Sequence, residues 1–434
     1  MQFRSTISQD PRVSFRDAVL RCLPPDGGLY VPAGVMDLRQ FFLHMDEGTS
    51  YPELVAALAP VLLQGDLNPL SAARVAESAF DFEPELERLD ENLSLLNLYN
   101  GPSGTFKDFG VAFLAAVLEE LLKENPAMIL SAVRGDDGIN LDRAFQKRRG
   151  LTSVMLYPAG PIHGLESSCF VPNGGNIIPI QVRGSLDDCQ RLVNETINDR
   201  PFAERYRITS ANGINPGRIL PQVFYYLYAF IKIKKRLSGD LFFSVPSGNF
   251  GNLISGLYAW KFGLPVNGFI AAMNANNAFG EFISGRKFTR RPLVTTNSPA
   301  LDVSFPSNYS RLCSFYDEAP AVMRNMVFPA SVDGNATVKT MEQVWKSYGI
   351  LLDPHGAVAF AAARDFKKSD RFSGAHMVVL ATGHPAREAA LVQSATGQKI
   401  SLPEKLALIG KKSDPVALID PHLDALEGAI ASCF

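Results

Sequence analysis

From residue 95 to residue 382 the chain alternates short, continuously apolar runs with longer segments of helical period. That alternation restricts the fold more than any other feature. The runs 127–133, 153–157, 177–182, 241–245, 265–273 and 377–382 show little polar alternation, so each reads as a strand buried on both faces. Such strands belong to parallel sheets flanked by helices. The long segment 214–237 separates the first three runs from the last three, which predicts two α/β sheets rather than one. Between 287 and 332 the pattern blurs into loops and short helices.

Residues 1–95 read differently. Amphipathic segments at 14–23, 51–63 and 71–79 are separated by turn clusters such as Pro24-Pro25-Asp26-Gly27-Gly28, and only 29–31 reads as a strand. The expected division is a mainly helical N-terminal domain (1–95), a first α/β domain (96–215) and a second (216–434). A chain of 434 residues is long enough for all three.

Composition matters chiefly for what it excludes. A net charge of −2 gives no basic footprint for a nucleic-acid partner. Six histidines and five cysteines (Cys22, Cys169, Cys189, Cys313 and Cys433) form no CxxC or HxxxH pair, so no metal site or disulfide framework is expected. No apolar run is long enough to span a bilayer, and the N-terminus has no apolar leader, so a soluble cytoplasmic protein is expected.

Two stretches carry chemistry. In Asn100-Gly101-Pro102-Ser103-Gly104-Thr105-Phe106-Lys107-Asp108-Phe109-Gly110, one lysine sits between phenylalanines, after a turn and at the opening of an apolar helix. Lysines are seldom buried. Either the Lys107 amine is used chemically, as in a Schiff base, or its stem packs on Phe106 while the ammonium reaches water. The second stretch, Ser244-Val245-Pro246-Ser247-Gly248-Asn249-Phe250-Gly251-Asn252, leaves a strand and turns through two glycines into a helix. Its backbone amides and the Ser247 hydroxyl suit a phosphate, although a tight strand-to-helix turn without ligand has the same pattern. It lacks the lysine of a P-loop. A phosphate cradle and a hemmed-in lysine on an α/β scaffold point to pyridoxal 5'-phosphate.

These residues resemble the motifs of the threonine synthase family, pyridoxal-phosphate enzymes of fold type II, in its longer bacterial and fungal form. The resemblance runs through Val13-Ser14-Phe15, Gly28-Leu29-Tyr30-Val31-Pro32, the Lys107 stretch, Ser210-Ala211-Asn212 with Ile214-Asn215 and Arg218, and Ser244 to Gly251. It continues through Asp302-Val303-Ser304, Pro354-His355 and Thr382-Gly383-His384-Pro385-Ala386, in the same order. It implies a tryptophan synthase β-subunit-like fold with the active site between two α/β domains. It also implies a lyase that turns O-phospho-L-homoserine and water into L-threonine and phosphate, acting as a monomer or homodimer on a small phosphorylated amino acid. Lys107 would hold the cofactor as an imine and then move protons. Phe106 and Asp136 would lie at the cofactor, Ser247, Gly248, Asn249, Phe250 and Gly251 would hold its phosphate, and Thr382 would face the pyridine nitrogen. Asp108 reads as a first-turn helix stabiliser, and His355 and His384 as hydrogen-bonded structural histidines.

The chain departs from the family pattern where substrate is handled. The family's hydroxyl-rich loop is here Val133-Arg134-Gly135-Asp136-Asp137-Gly138, the loop 158–163 has Pro161 in place of a basic residue, and Gly213 replaces a serine. The substrate ligands implied are Arg134, Gly135, Asp137, Asn212 and Arg218, with Asp137 open to an alternative role as the partner of Arg134. Two further readings follow from the altered loop: an enzyme eliminating phosphate from another phosphorylated hydroxy-amino acid to give a 2-oxo acid, and a catalytically inactive cofactor-binding homologue.

Overall fold

The computed structural model describes residues 1–123, 125–162, 165–166, 171–285, 289, 291–406 and 414–433, so His163 and Cys169 lie outside the described residues. The apolar runs pair into two sheets. The five-stranded sheet has the order Ile208–Thr209, Ala127–Ala132, Leu151–Pro158, Ile177–Val182, Ala417–Ile419, and every pairing is parallel. The six-stranded sheet runs Val327–Ser331, Gly268–Met273, Leu241–Pro246, His376–Ala381, Leu93–Asn97, Glu85–Asp90, parallel except for its last pair. Strands Ala127–Ala132, Leu241–Pro246, Gly268–Met273 and His376–Ala381 are buried at every residue, as their lack of alternation predicts.

Two elements cross the expected domain limits. The boundary at 95 falls inside the strand Leu93–Asn97, which joins the second α/β sheet together with Glu85–Asp90. Glu85–Asp90 reads as polar because it pairs on one side only and shows charges to solvent. At the other end, Ala417–Ile419 crosses back to the first sheet, and Leu423–Cys433 packs against the helix Leu186–Asn198 beneath it. Three residues are too few for a period to be read. The N-terminal segment has more strand than expected: Gln2–Ser5, Val13–Ser14 and Tyr30–Pro32 form an antiparallel sheet. Three helices, Phe15–Arg21, Tyr51–Leu62 and Pro69–Ala79, fall where the periodicity places them, the short Arg39–Phe42 was not expected, and Tyr51–Leu62 starts at a capping box between Ser50 and Glu53. Within 287–332 the blurred pattern conceals the edge strand Val327–Ser331.

The helix Lys107–Leu122 is apolar around its whole circumference and is accordingly buried, with Phe109 and Phe113 packed edge-on among Tyr51, Phe82, Tyr225 and Phe224. Burial on all sides leaves its first residue little freedom in direction.

At the start of the central strand, His376 is 6% exposed and shares a 3.0 Å hydrogen bond with Ser94 Oγ. Burial, reinforced by the charges of Lys367 and Arg88, depresses the imidazole from 6.5 to about 4. As pH falls, the unfolded chain therefore takes up this proton first. The His376 contribution to stability is complete above about pH 6.5 and is lost as pH drops toward about 4. Urea unfolding across that window should show a smaller loss of midpoint in His376→Gln than in the wild type. An identical loss in both would contradict the assignment.

Candidate active site

The Lys107 turn is held against the carboxyl end of the six-stranded sheet by backbone bonds. Leu98 N donates to Ala381 O (2.9 Å), Phe106 N to Thr382 O (3.0 Å) and His384 N to Gly104 O (2.9 Å). Arg387 Nη1 adds a bond to Ser103 O at 2.7 Å. Lys107 thus begins its helix beside Thr382, which is buried at the strand end, with half-buried Phe106 packed onto the core between them. Asp108 does more than meet the helix dipole. It is buried and accepts from Ser103 N (2.9 Å) and Asn140 Nδ2 (2.6 Å), which fastens the turn to the helix Asp136–Phe145. Burial pushes the Asp108 carboxyl above its ordinary range despite these bonds.

The helix Asp136–Phe145 brings a carboxylate to the lysine. Asp137 Oδ1 lies 2.9 Å from Lys107 Nζ and 3.3 Å from Arg218 Nη2. Burial works to raise the Asp137 carboxyl, but the charges of Lys107 and Arg218 outweigh it and hold the group below its ordinary value. The expected alternative pairing of the Asp137 carboxylate with Arg134 does not form: Arg134 is exposed and its guanidinium has no partner among the described residues, although its carbonyl accepts from Asp137 N at 3.4 Å. Gly135 is buried and immediately precedes the helix, while the Asp136 side chain lies outside what the structure describes.

Arg218 is almost fully buried, and its Nη1 donates to Ala211 O at 2.6 Å. Its backbone is tied closely to the lysine helix. A Cβ on Gly110 would stand 2.3 Å from Arg218 O, so only glycine allows the two segments to approach this far. Asn212, expected among the substrate ligands, also has a structural part. Its amide receives Ala132 N (2.8 Å) and donates to Ala132 O (2.7 Å), locking the end of a strand. Gly213 O is held by Arg311 Nη1 at 2.9 Å.

Arg311 was not anticipated. It is fully buried and also bonds Tyr30 O and Ile214 O, joining the N-terminal sheet to the 213–214 segment. The one available signal was an arginine on the apolar face of the helix Tyr309–Glu318.

At the end of the neighbouring strand, the turn 247–251 closes Leu241–Pro246. Ser247 N donates to Ala272 O and Ser247 Oγ to Val245 O, both at 2.8 Å, so the hydroxyl faces the backbone and leaves ligand contact to the amides. Phe250 takes the left-handed conformation (φ 60°) and starts the helix Gly251–Lys261. The N–H groups of Gly248, Asn249 and Phe250 meet no acceptor among the described residues, and the buried Asn252 Nδ2 in the next turn is equally unpaired. Gly248 lies flush against the neighbouring chain, where a Cβ would be 3.0 Å from both Ala300 O and Leu301 Cα. The segment beneath it is braced by His355, which accepts from Ala300 N at 3.1 Å while its Nδ1 meets Asp353 Oδ2 at 2.5 Å. A run of unused amides at a helix start is a phosphate site in chemical terms. With Lys107 at the end of the adjacent strand, the donor set fits a phosphorylated aldehyde cofactor.

Comparison with known proteins supplies the context. Residues 83–383 match the family profile described as pyridoxal-phosphate dependent enzyme, residues 2–80 that of the threonine synthase N terminus, and residues 356–430 that of the threonine synthase C-terminal region. The chain is 33% identical to the threonine synthases of Serratia marcescens and of Escherichia coli over 411 residues, 94% of each chain. Among solved structures, Escherichia coli threonine synthase superposes with a TM-score of 0.88 at 30% identity over the whole of both chains. Pyridoxal-phosphate-bound threonine synthase from Brucella melitensis gives 0.88 at 29% identity, covering 100% of this chain and 99% of that one.

Proposed function

Since this chain belongs to the threonine synthase family of pyridoxal-phosphate-dependent enzymes, we propose that it converts O-phospho-L-homoserine and water into L-threonine and phosphate. It is a fold type II lyase and its cofactor is pyridoxal 5'-phosphate. The reading is supported by the placement of the Lys107 turn and the 248–250 turn at the carboxyl ends of two neighbouring strands, His376–Ala381 and Leu241–Pro246, and by the link of Lys107 to Arg218 through Asp137.

When bound, pyridoxal phosphate supplies an electron sink that acidifies the protons next to the substrate's amino group. The chain's own groups do the rest. The amides of Gly248, Asn249 and Phe250, with Ser247 and Gly251 shaping the turn, hold the cofactor phosphate. Phe106 and Asp136 would lie at the cofactor and the Thr382 hydroxyl would face its pyridine nitrogen. Lys107 Nζ anchors the cofactor, then takes the Cα proton and returns protons to neighbouring carbons, as a base already in place. Arg218 receives an acidic end of the substrate by charge-assisted hydrogen bonds, with Arg134 approaching from the solvent side and the Gly135 amide from the helix start. Asn212 keeps the strand end Ala132 in place.

We place the enzyme in the cytoplasm, as a monomer or homodimer; no helix among the described residues is long and apolar enough to cross a membrane. The deciding assay supplies O-phosphohomoserine to the cofactor-loaded protein and measures phosphate and threonine together, with equal amounts expected. Phosphate accompanied by 2-oxobutanoate would instead assign simple elimination, and release of neither product would overturn the proposal.

A further inference from the structure

The site contains its own anion. One oxygen of Asp137 accepts both cations of the cleft, Lys107 Nζ at 2.9 Å and Arg218 Nη2 at 3.3 Å. The other terminal nitrogen, Arg218 Nη1, donates to Ala211 O. Arg218 is 7% exposed, so it cannot swing out to meet a ligand elsewhere. An acidic group of a substrate that approaches Arg218 Nη2 must therefore displace the Asp137 carboxylate or lie against it.

We propose that Asp137 is an internal competitor for the substrate's acidic group, and that it sets the charge selectivity of this cleft against dianionic phosphate esters. The inference rests on the reading of the cleft as a threonine synthase-type active site. Arg218 and the Lys107 nitrogen, protonated as amine or imine, present two positive charges, of which Asp137 cancels one. A phosphate monoester carries close to two negative charges at neutral pH, and beside a fixed carboxylate in a half-buried cleft that charge is repelled at short range. An ester of the same amino acid with an uncharged leaving group, such as an acetyl ester, meets no such opposition. Selectivity built by placing a like charge beside the ligand is a general device. It applies here without Asp137 touching the reacting atoms, so Asp137 acts as a specificity determinant.

The test uses the cofactor-loaded enzyme, in which the 248–250 amides are already occupied, and inorganic phosphate as the probe. Calorimetric titration should show phosphate binding at least about tenfold more tightly in Asp137→Asn, which keeps the shape and removes the charge, while Asp137→Glu stays near the wild type. Asp137→Ser is a second variant of the same sign should the asparagine protein fold poorly. In steady-state kinetics, KM for O-phosphohomoserine should fall in Asp137→Asn by a larger factor than KM for O-acetylhomoserine, and kcat should change less than KM. Unchanged or weaker phosphate binding in both neutral variants would overturn the proposal, as would equal KM changes for the two esters. Phosphate binding is read without turnover, so a wild type that makes no threonine would defeat the functional reading while leaving this inference to be judged on the titration.

Discussion

Lys107→Ala should lower threonine formation by about 10³-fold or more, because one substitution removes both the covalent anchor of the cofactor and the base that moves the Cα proton. General acid–base catalysis alone contributes about 10²- to 10⁴-fold. The loss should not reflect unfolding. Lys107 is the first residue of its helix, its side chain is 26% exposed, and alanine is the best helix former. The cofactor should still bind through the 248–250 amides, but borohydride should no longer fix it to the protein. In the wild type, the same treatment should add the cofactor mass to the peptide containing Lys107. Lys107→Arg is the informative companion: it preserves a cation opposite Asp137 but cannot lose its proton at working pH, and it should be as inactive as alanine. Turnover retained in either variant would remove Lys107 from the chemistry.

Arg218 carries the second large effect. Its guanidinium bonds Ala211 O and Asp137 from an almost fully buried position, and its backbone is registered against the lysine helix at Gly110. A hydrogen bond to a charged group is worth about 1.5–3 kcal/mol, so Arg218→Met should cost roughly 10- to 150-fold in kcat/KM for the phosphorylated substrate. Most of that loss should appear in KM if the side chain holds the substrate rather than the reacting atoms. Arg218→Lys keeps the charge but cannot make the forked contact, so it should recover only part of the loss. An unchanged KM in Arg218→Met, with the protein shown to be folded by near-UV circular dichroism, would take Arg218 out of substrate binding.

Much of the scaffold was legible because burial on both faces leaves a plain mark in sequence. Leu241–Pro246 and His376–Ala381 are central strands, fully covered, and their runs lack polar alternation. Glu85–Asp90 and Ala417–Ile419 escaped notice for opposite reasons: the first is a charged edge strand and the second has only three residues. Their assignment depends on which sheet edge lies open to receive them, and no local pattern records that. The site divides in the same way. The lysine turn and the phosphate turn are contiguous motifs, each readable within about a dozen residues. Asp137 and Arg218 are 81 residues apart, and Arg311 joins segments 98 and 281 residues away. Such pairings exist only after the sheets have formed.

Asn212 and Asp137 show how the fold, rather than the motif, sets the contacts a polar side chain makes within the protein. Both were expected to face the substrate. The structure gives the Asn212 amide to the backbone of Ala132, and turns Asp137 toward Lys107 and Arg218 rather than toward Arg134. Hydrogen-bonding capacity is a property of the residue, but its use depends on which unsatisfied groups the fold brings within about 3 Å.

The sequence by itself determined that two parallel sheets would form, that a lysine would open a buried helix, and that a glycine-containing turn would present free amides at a helix start. Each follows from periodicity or from backbone geometry over a few residues. Only the tertiary structure decided what the lysine faces. It set the Asp137 carboxylate between Lys107 and Arg218, because burying the helix Lys107–Leu122 on every side fixes where its first residue emerges, and the charges that converge there come from segments distant in the chain.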